Sequence, residues 1–187
     1  MSKKRILLFF AAAGLILAMV LGVYFYRSNL GPSRETVTAL LTDYTKKIAA
    51  GELDAARALM TEETRPLLRD PGTAFGETVY RNLKLKSVES LYTEGSGNYA
   101  ADVILTLPDT LKITTKVGLL FGEKVEAEGP ADDPDRAIAE IYKEILSRDD
   151  LPMVDAYCVI RLETRNGTLL IRGDENLQKT LEGNLNS

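Results

Sequence analysis

From Ile6 to Tyr26 the chain runs 21 residues without a charge. A helix of that length rises about 30 Å, the thickness of a bilayer's hydrocarbon core. Lys3, Lys4 and Arg5 precede the run, and Arg27 alone closes it. That asymmetry predicts residues 1–27 as a cytoplasmic basic tip and a single transmembrane signal-anchor helix, with everything beyond outside the cell membrane. A cleaved signal peptide has a shorter apolar region and a small-residue cleavage site. No convincing Ala-x-Ala site follows here, and Cys158 lies too far downstream to be a lipid-modified N-terminal cysteine. Residues 28–33, with Gly31 and Pro32, read as a short linker, too short for a stalk.

Residues 34–187 then suit one extracytoplasmic domain with a sizeable core. Four of the 23 basic residues and none of the 27 acidic ones fall within the first 27, which leaves 19 against 27, a net charge of −8. A field of that sign disfavours nucleic acid as a partner. The expected partners are the membrane, through the N-terminal helix, and an unidentified small ligand or envelope protein. The chain has no histidine, which excludes Ser-His and Cys-His nucleophile systems and histidine-ligated zinc. Cys158 sits in the apolar alternation Val154, Ala156, Cys158, Ile160, Leu162 and reads as a small buried hydrophobe.

Ser33 is placed to cap a helix whose apolar stripe is Val37, Leu40, Leu41, Tyr44 and Ile48, with Gly51 as its left-handed stop. A second helix covers Glu52 to Met60, an irregular turn holds Pro66, and a third short helix spans 74–83. Leu83 and Leu85 open a strand whose phase shifts before Val88, predicting a bulge near Ser87. Tyr99, Ala101, Val103, Leu105 and Leu107 alternate along the next strand. Leu111, Ile113, Thr115, Val117 and Leu119 alternate in the same way and predict a further strand, with Phe121 to Gly129 extending it or looping. Asp133-Pro134 starts a helix carrying Ile138, Ile141, Tyr142, Ile145 and Leu146. Val154 to Thr164 and Thr168 to Arg172 form a hairpin about Asn166-Gly167. Asp174 caps a tail helix that Gly183 ends.

The fold class expected is therefore α+β, a curved antiparallel sheet packed with helices behind an N-terminal transmembrane helix. The stretch Leu40 to Ala56, with Gly51-Glu52 joining two amphipathic helices, resembles the opening of the nuclear transport factor 2-like superfamily. Tyr157 to Asp174 looks like the last hairpin of its small secreted bacterial members, without their tryptophan. The resemblance implies an α+β cone, of the kind found in bacterial membrane-anchored or secreted members of unknown function. That fold hosts unrelated activities. The expected role is a non-catalytic ligand-binding or protein-interaction module at the bacterial cell envelope, with a structural accessory subunit of an envelope complex as an alternative.

Ketosteroid isomerases share this fold, and likeness to them implies one enzymatic alternative, of isomerase or dehydratase type. Tyr44 stands seven residues before Gly51, and Asp70 precedes Pro71, where those enzymes place an oxyanion-stabilising tyrosine and a general base. Against it, Asp70 lies in a stretch that looks exposed, and Tyr44 belongs to the core stripe. Asp132, Asp133 and Asp135 lack the glycine and distal glutamate of a calcium loop, and Asp149, Asp150 and Asp155 read as surface charge. Gly95-Ser96-Gly97 joins two strands and has no lysine or helix after it, unlike a phosphate loop. Asn166-Gly167-Thr168 matches a glycosylation sequon that its turn already explains. Tyr80, Tyr92, Tyr99, Tyr142 and Tyr157 could line a pocket, yet each fits core or interface. No catalytic, cofactor-binding or metal-ligating residue is assigned, and no cofactor is expected.

Overall fold

The computed structural model describes residues 31–148 and 150–183. The run Ile6 to Tyr26 and Asp149 lie outside them. No helix among the described residues is long and apolar enough to cross a membrane.

Ser33 accepts a hydrogen bond from the Thr36 amide at 3.1 Å and starts α1 (Arg34–Ala49). Val37, Leu41, Tyr44 and Ile48 recur along it and are buried, as a stripe at helical spacing requires. Gly51, at φ +77°, takes the left-handed turn into α2 (Leu53–Ala58). Pro66 lies in a single 3-10 turn, Arg65–Leu67. Thr73 caps α3 (Ala74–Asn82).

Four strands follow in an antiparallel meander: β1 (Lys84–Gly95), β2 (Asn98–Pro108), β3 (Met153–Arg165) and β4 (Thr168–Arg172). The phase change ahead of Val88 is a bulge, since the β1–β2 register skips between Leu85 and Ser87. Asn166 and Gly167 both hold positive φ, +51° and +78°, as the two-residue hairpin turn demands. One sheet face carries Val88, Ala101, Val103, Leu105, Leu107, Ala156, Ile160, Leu162 and Ile171 into the main core. Helix α1 packs on β1, α3 on β2, and the tail helix α6 (Glu175–Leu181), capped by Asp174, on β3.

One expected strand is absent. Residues 110–128, read above as a strand followed by an extension or loop, form a 19-residue helix, α4 (Thr110–Glu128). The alternation from Leu111 to Leu119 is real but stops there. Ile113, Val117, Leu120 and Phe121 recur at i, i+4, i+7 and i+8, and this longer period won, because it buries one side against a second helix. Asp109 is not merely a turn residue: its side chain accepts from the Lys112 amide at 3.0 Å and so caps the helix. The sheet therefore has four strands rather than five, and two helices, not one, separate β2 from β3. Helix α5 (Pro134–Leu146) begins at the Asp133 cap as expected. With α4 it forms a hairpin around a separate small cluster of Ile113, Val117, Ile141 and Ile145. The hairpin's base is closed by the Asp109 amide, which donates to the Pro152 carbonyl at 2.8 Å.

Candidate functional surface

Tyr44 is 1% exposed, on the inward stripe of α1. Its hydroxyl donates to Met60 Sδ at 3.7 Å. Burial, and secondarily the neighbouring Tyr80, push its pKa well above the ordinary phenol range, so it stays protonated. Asp70 lies on the surface, where the Arg57 guanidinium donates to it at 3.0 Å. Arg57 is itself held by the Leu68 carbonyl at 3.0 and 2.9 Å. Tyr44 and Asp70 are thus engaged with different partners and do not converge. The space bounded by Tyr44, Met60, Leu67, Leu68, Leu177 and Leu181 has no room for a water molecule, 0 Å³.

The other singled-out residues serve local structure. Asp133 accepts from the Arg136 amide at 3.0 Å. Asp155 accepts from Thr106 at 2.9 Å and pairs with Lys86, which lowers its pKa. No group of three or more carboxylate or thiol side chains among the described residues is spaced to hold a metal ion. The five tyrosines scatter. Tyr80 donates to the Arg69 carbonyl at 2.9 Å and Tyr142 to Thr114 at 3.1 Å. Tyr99 faces the main core, while Tyr92 and Tyr157 are exposed. Cys158 is half-buried on the inner face, and burial, with a lesser contribution from Asp174, pushes its thiol up to about 12.

Two open clefts mark the surface. One, of about 290 Å³, lies at the α1–α2 join between Ile48, Gly51, Leu53, Pro71, Tyr80 and Arg81. The other, of about 540 Å³, lies among Thr61, Thr64, Asn98, Arg165 and Arg172. Its Arg165 is already neutralised by Glu63 and Glu163.

A different kind of feature runs along β3. The five residues of β4 pair only with Arg161 to Arg165. No described strand covers Met153 to Ile160 on the side away from β2. The Thr164 amide donates to the Gly97 carbonyl across the β2 side of the ladder, at 2.7 Å. By the alternation of an antiparallel ladder, Asp155, Tyr157 and Val159 then direct their backbone groups to the open edge. Their side chains stand on the outer face, where Tyr157 is 77% exposed and Val159 38%. This is a row of unpaired donors and acceptors beside apolar side chains, the usual template for an added strand. The edge was readable in principle: the Asn166-Gly167 turn fixes the register, and a five-residue return strand cannot cover a partner more than twice its length.

No family model, no curated protein and no solved structure matches the chain.

Proposed function

We propose that residues 34–187 are a protein-interaction module of the bacterial cell envelope, built on a nuclear transport factor 2-like plan. Ile6 to Tyr26 tethers it to the outer face of the membrane. The interaction it makes is strand addition: an extended segment of an envelope protein pairs with the open edge of β3, and Tyr157 and Val159 supply the apolar contacts. One observation carries this reading. The interior is filled by the chain's own side chains around Tyr44 and Met60, whereas along β3 backbone left unpaired among the described residues lies beside Tyr157, the most exposed large hydrophobic side chain among them. The charge-free run and its basic flank support the tether, and the Gly51-Glu52 helix join supports the fold kinship. The isomerase alternative has no such support, since Tyr44 and Asp70 point to different neighbours.

The test places a photoreactive side chain at Tyr157 of the full chain in its native membrane, with Lys46, an exposed residue of α1, as control. The expected result is a discrete protein adduct from position 157 only, with slowed amide exchange at Asp155, Tyr157 and Val159. Equal yields from both positions, or none from Tyr157, overturns the reading. Reporter fusions before Ile6 and after Ser33 test the tether separately.

A further inference from the structure

A second surface, on the helical hairpin, has its own logic. Helix α4 buries Ile113, Val117, Leu120 and Phe121 on its α5 side. The opposite side carries Leu111, Thr115, Gly118, Leu119 and Gly122, at i, i+4, i+7, i+8 and i+11, a single helical face. Leu111 and Leu119 are each 65% exposed. A Cβ added to Gly118 or Gly122 would meet nothing within 4 Å, so another backbone can come close there. Charge is segregated along the same helix. Lys112 and Lys116 occupy its first half, and Glu123, Glu126 and Glu128 its second. Lys124, seven residues beyond Val117, and Glu128, seven beyond Phe121, belong to the α5 side. This order runs against the helix dipole, which favours acids at the start and bases at the end. Among the described residues, Lys116, Glu123, Glu126 and Glu128 make no ion pair, and Lys112 pairs only with its own cap, Asp109.

We infer that the outer face of α4 docks against the same face of a second copy of this chain, antiparallel about a twofold axis near Leu119. Reversing one helix sets Lys116 against Glu123 of the other copy, and Lys112 against Glu126. Each of these four charges then meets its complement, and one patch serves both partners, as an isologous contact requires. Leu119 of each copy packs over Gly118 and Gly122 of the other. A parallel arrangement would set lysine against lysine and glutamate against glutamate. One helix pair buries less than the about 1,000 Å² expected of a stable interface. The contact is therefore weak in dilute solution and is populated where two chains share a small volume, as two chains tethered to one membrane do.

Disulfide trapping in the full chain tests this, in membranes and in concentrated detergent solution. Leu119→Cys is expected to cross-link on oxidation about tenfold faster than Asp54→Cys, a control on α2 whose side chain is 98% exposed; Cys158 contributes little, since its thiol is held protonated. A mixture of Lys116→Cys and Glu123→Cys chains should trap the mixed pair in preference to either same-site pair. Lys116→Glu is expected to slow Leu119→Cys trapping about tenfold, and adding Glu123→Lys to restore it. Equal rates at positions 119 and 54, same-site trapping at 116 as fast as the mixed pair, or failure of the double reversal to restore trapping overturns the inference. Recovery of the chain in the soluble fraction would count against the tether alone, because the detergent arm does not depend on it.

Discussion

The two hydrophobic clusters of this molecule are built to different standards. The main core is enclosed on several sides: α1, α3 and α6 lie against a sheet whose inner residues Ala101, Leu107 and Leu162 are fully buried. Its polar atoms are satisfied, down to the Tyr44 hydroxyl on Met60. The hairpin cluster has four buried residues, with Phe75 of α3 and Leu151 packed at its margin, and its longer helix leaves a face in solvent. Enclosure makes the first cluster the main source of stability and leaves no room for a water molecule beside Tyr44. Incompleteness makes the second a poor source of stability and leaves it free to bind. The sheet divides less sharply: its inner face is core, while its outer face is buried at Ala100 and Ile104 and exposed at Tyr92, Tyr157 and Val159.

Removing core volume should separate the two clusters most strongly. Leu105→Ala, on the inner face of β2, is expected to destabilise the whole domain by about 4 kcal/mol, a large share of the roughly 5–15 kcal/mol available to a domain. All amides should then lose exchange protection together. Ile145→Ala in the hairpin should cost less, about 2 kcal/mol, because a small cluster of four buried residues relaxes around the cavity. Its signature is local: protection falls in α4 and α5 while β2 keeps its own. Equal and global losses from the two substitutions would merge the clusters into one cooperative unit.

A smaller effect is expected at the base of the hairpin. Asp109 is buried, and burial alone would raise its pKa. The Lys112 amide at 3.0 Å and the Lys112 ammonium at 3.1 Å outweigh that and hold the carboxyl below its usual value. A depressed folded pKa means that the carboxylate's contribution is present at neutral pH. It fades as pH falls below the ordinary aspartate value of about 4 and is lost through the lower folded value. Asp109→Ala should loosen the hairpin by about 1 kcal/mol at pH 7. Asp109→Asn should keep the cap and remove the acid dependence, read from urea midpoints at pH 7 and pH 3. A midpoint difference between the two pH values that survives in Asp109→Asn would assign that dependence to another group.

Much of this arrangement was legible because it is decided locally. Caps at Ser33, Asp133 and Asp174 need only their own next three residues, and the turn at Asn166-Gly167 only itself. The bulge beside Ser87 showed as a slip in alternation. The hairpin helix α4 was not legible in the same way, because Ile113, Thr114, Thr115 and Val117 favour a strand and alternate as one. What overrode them was a partner, α5, that lies in the chain beyond Gly129. The exposed edge of β3 was missed for a related reason. An edge is defined by what fails to cover it, and only the Asn166-Gly167 register taken together with the short return strand reports that, not the alternation within β3 itself. Tyr44 illustrates the reverse case: its place on the apolar stripe of α1 already pointed to the core and away from chemistry.

The smallest expected change in stability concerns two adjacent residues on opposite sides of the sheet. Tyr157 is exposed on the outer face, and Cys158 faces the main core with its thiol pushed up to about 12. Tyr157→Ser removes little buried surface and should shift the urea midpoint by no more than ordinary surface substitutions do, within about 0.5 kcal/mol. Cys158 supplies the readout on the same strand. At pH 8 its thiolate fraction should be about a thousandfold below that of an ordinary thiol, so a disulfide reagent labels it slowly while the core is closed. Labelling should remain slow in Tyr157→Ser and become fast in Leu105→Ala under the same mild urea. In the membrane, Tyr157→Ser should nevertheless abolish protection of the β3 edge amides. A variant with slow Cys158 labelling and lost edge protection locates the binding energy outside the core. Rapid labelling in Tyr157→Ser would instead make the outer face part of the fold's own stability, and the contrast between enclosed core and free surface would fail at β3.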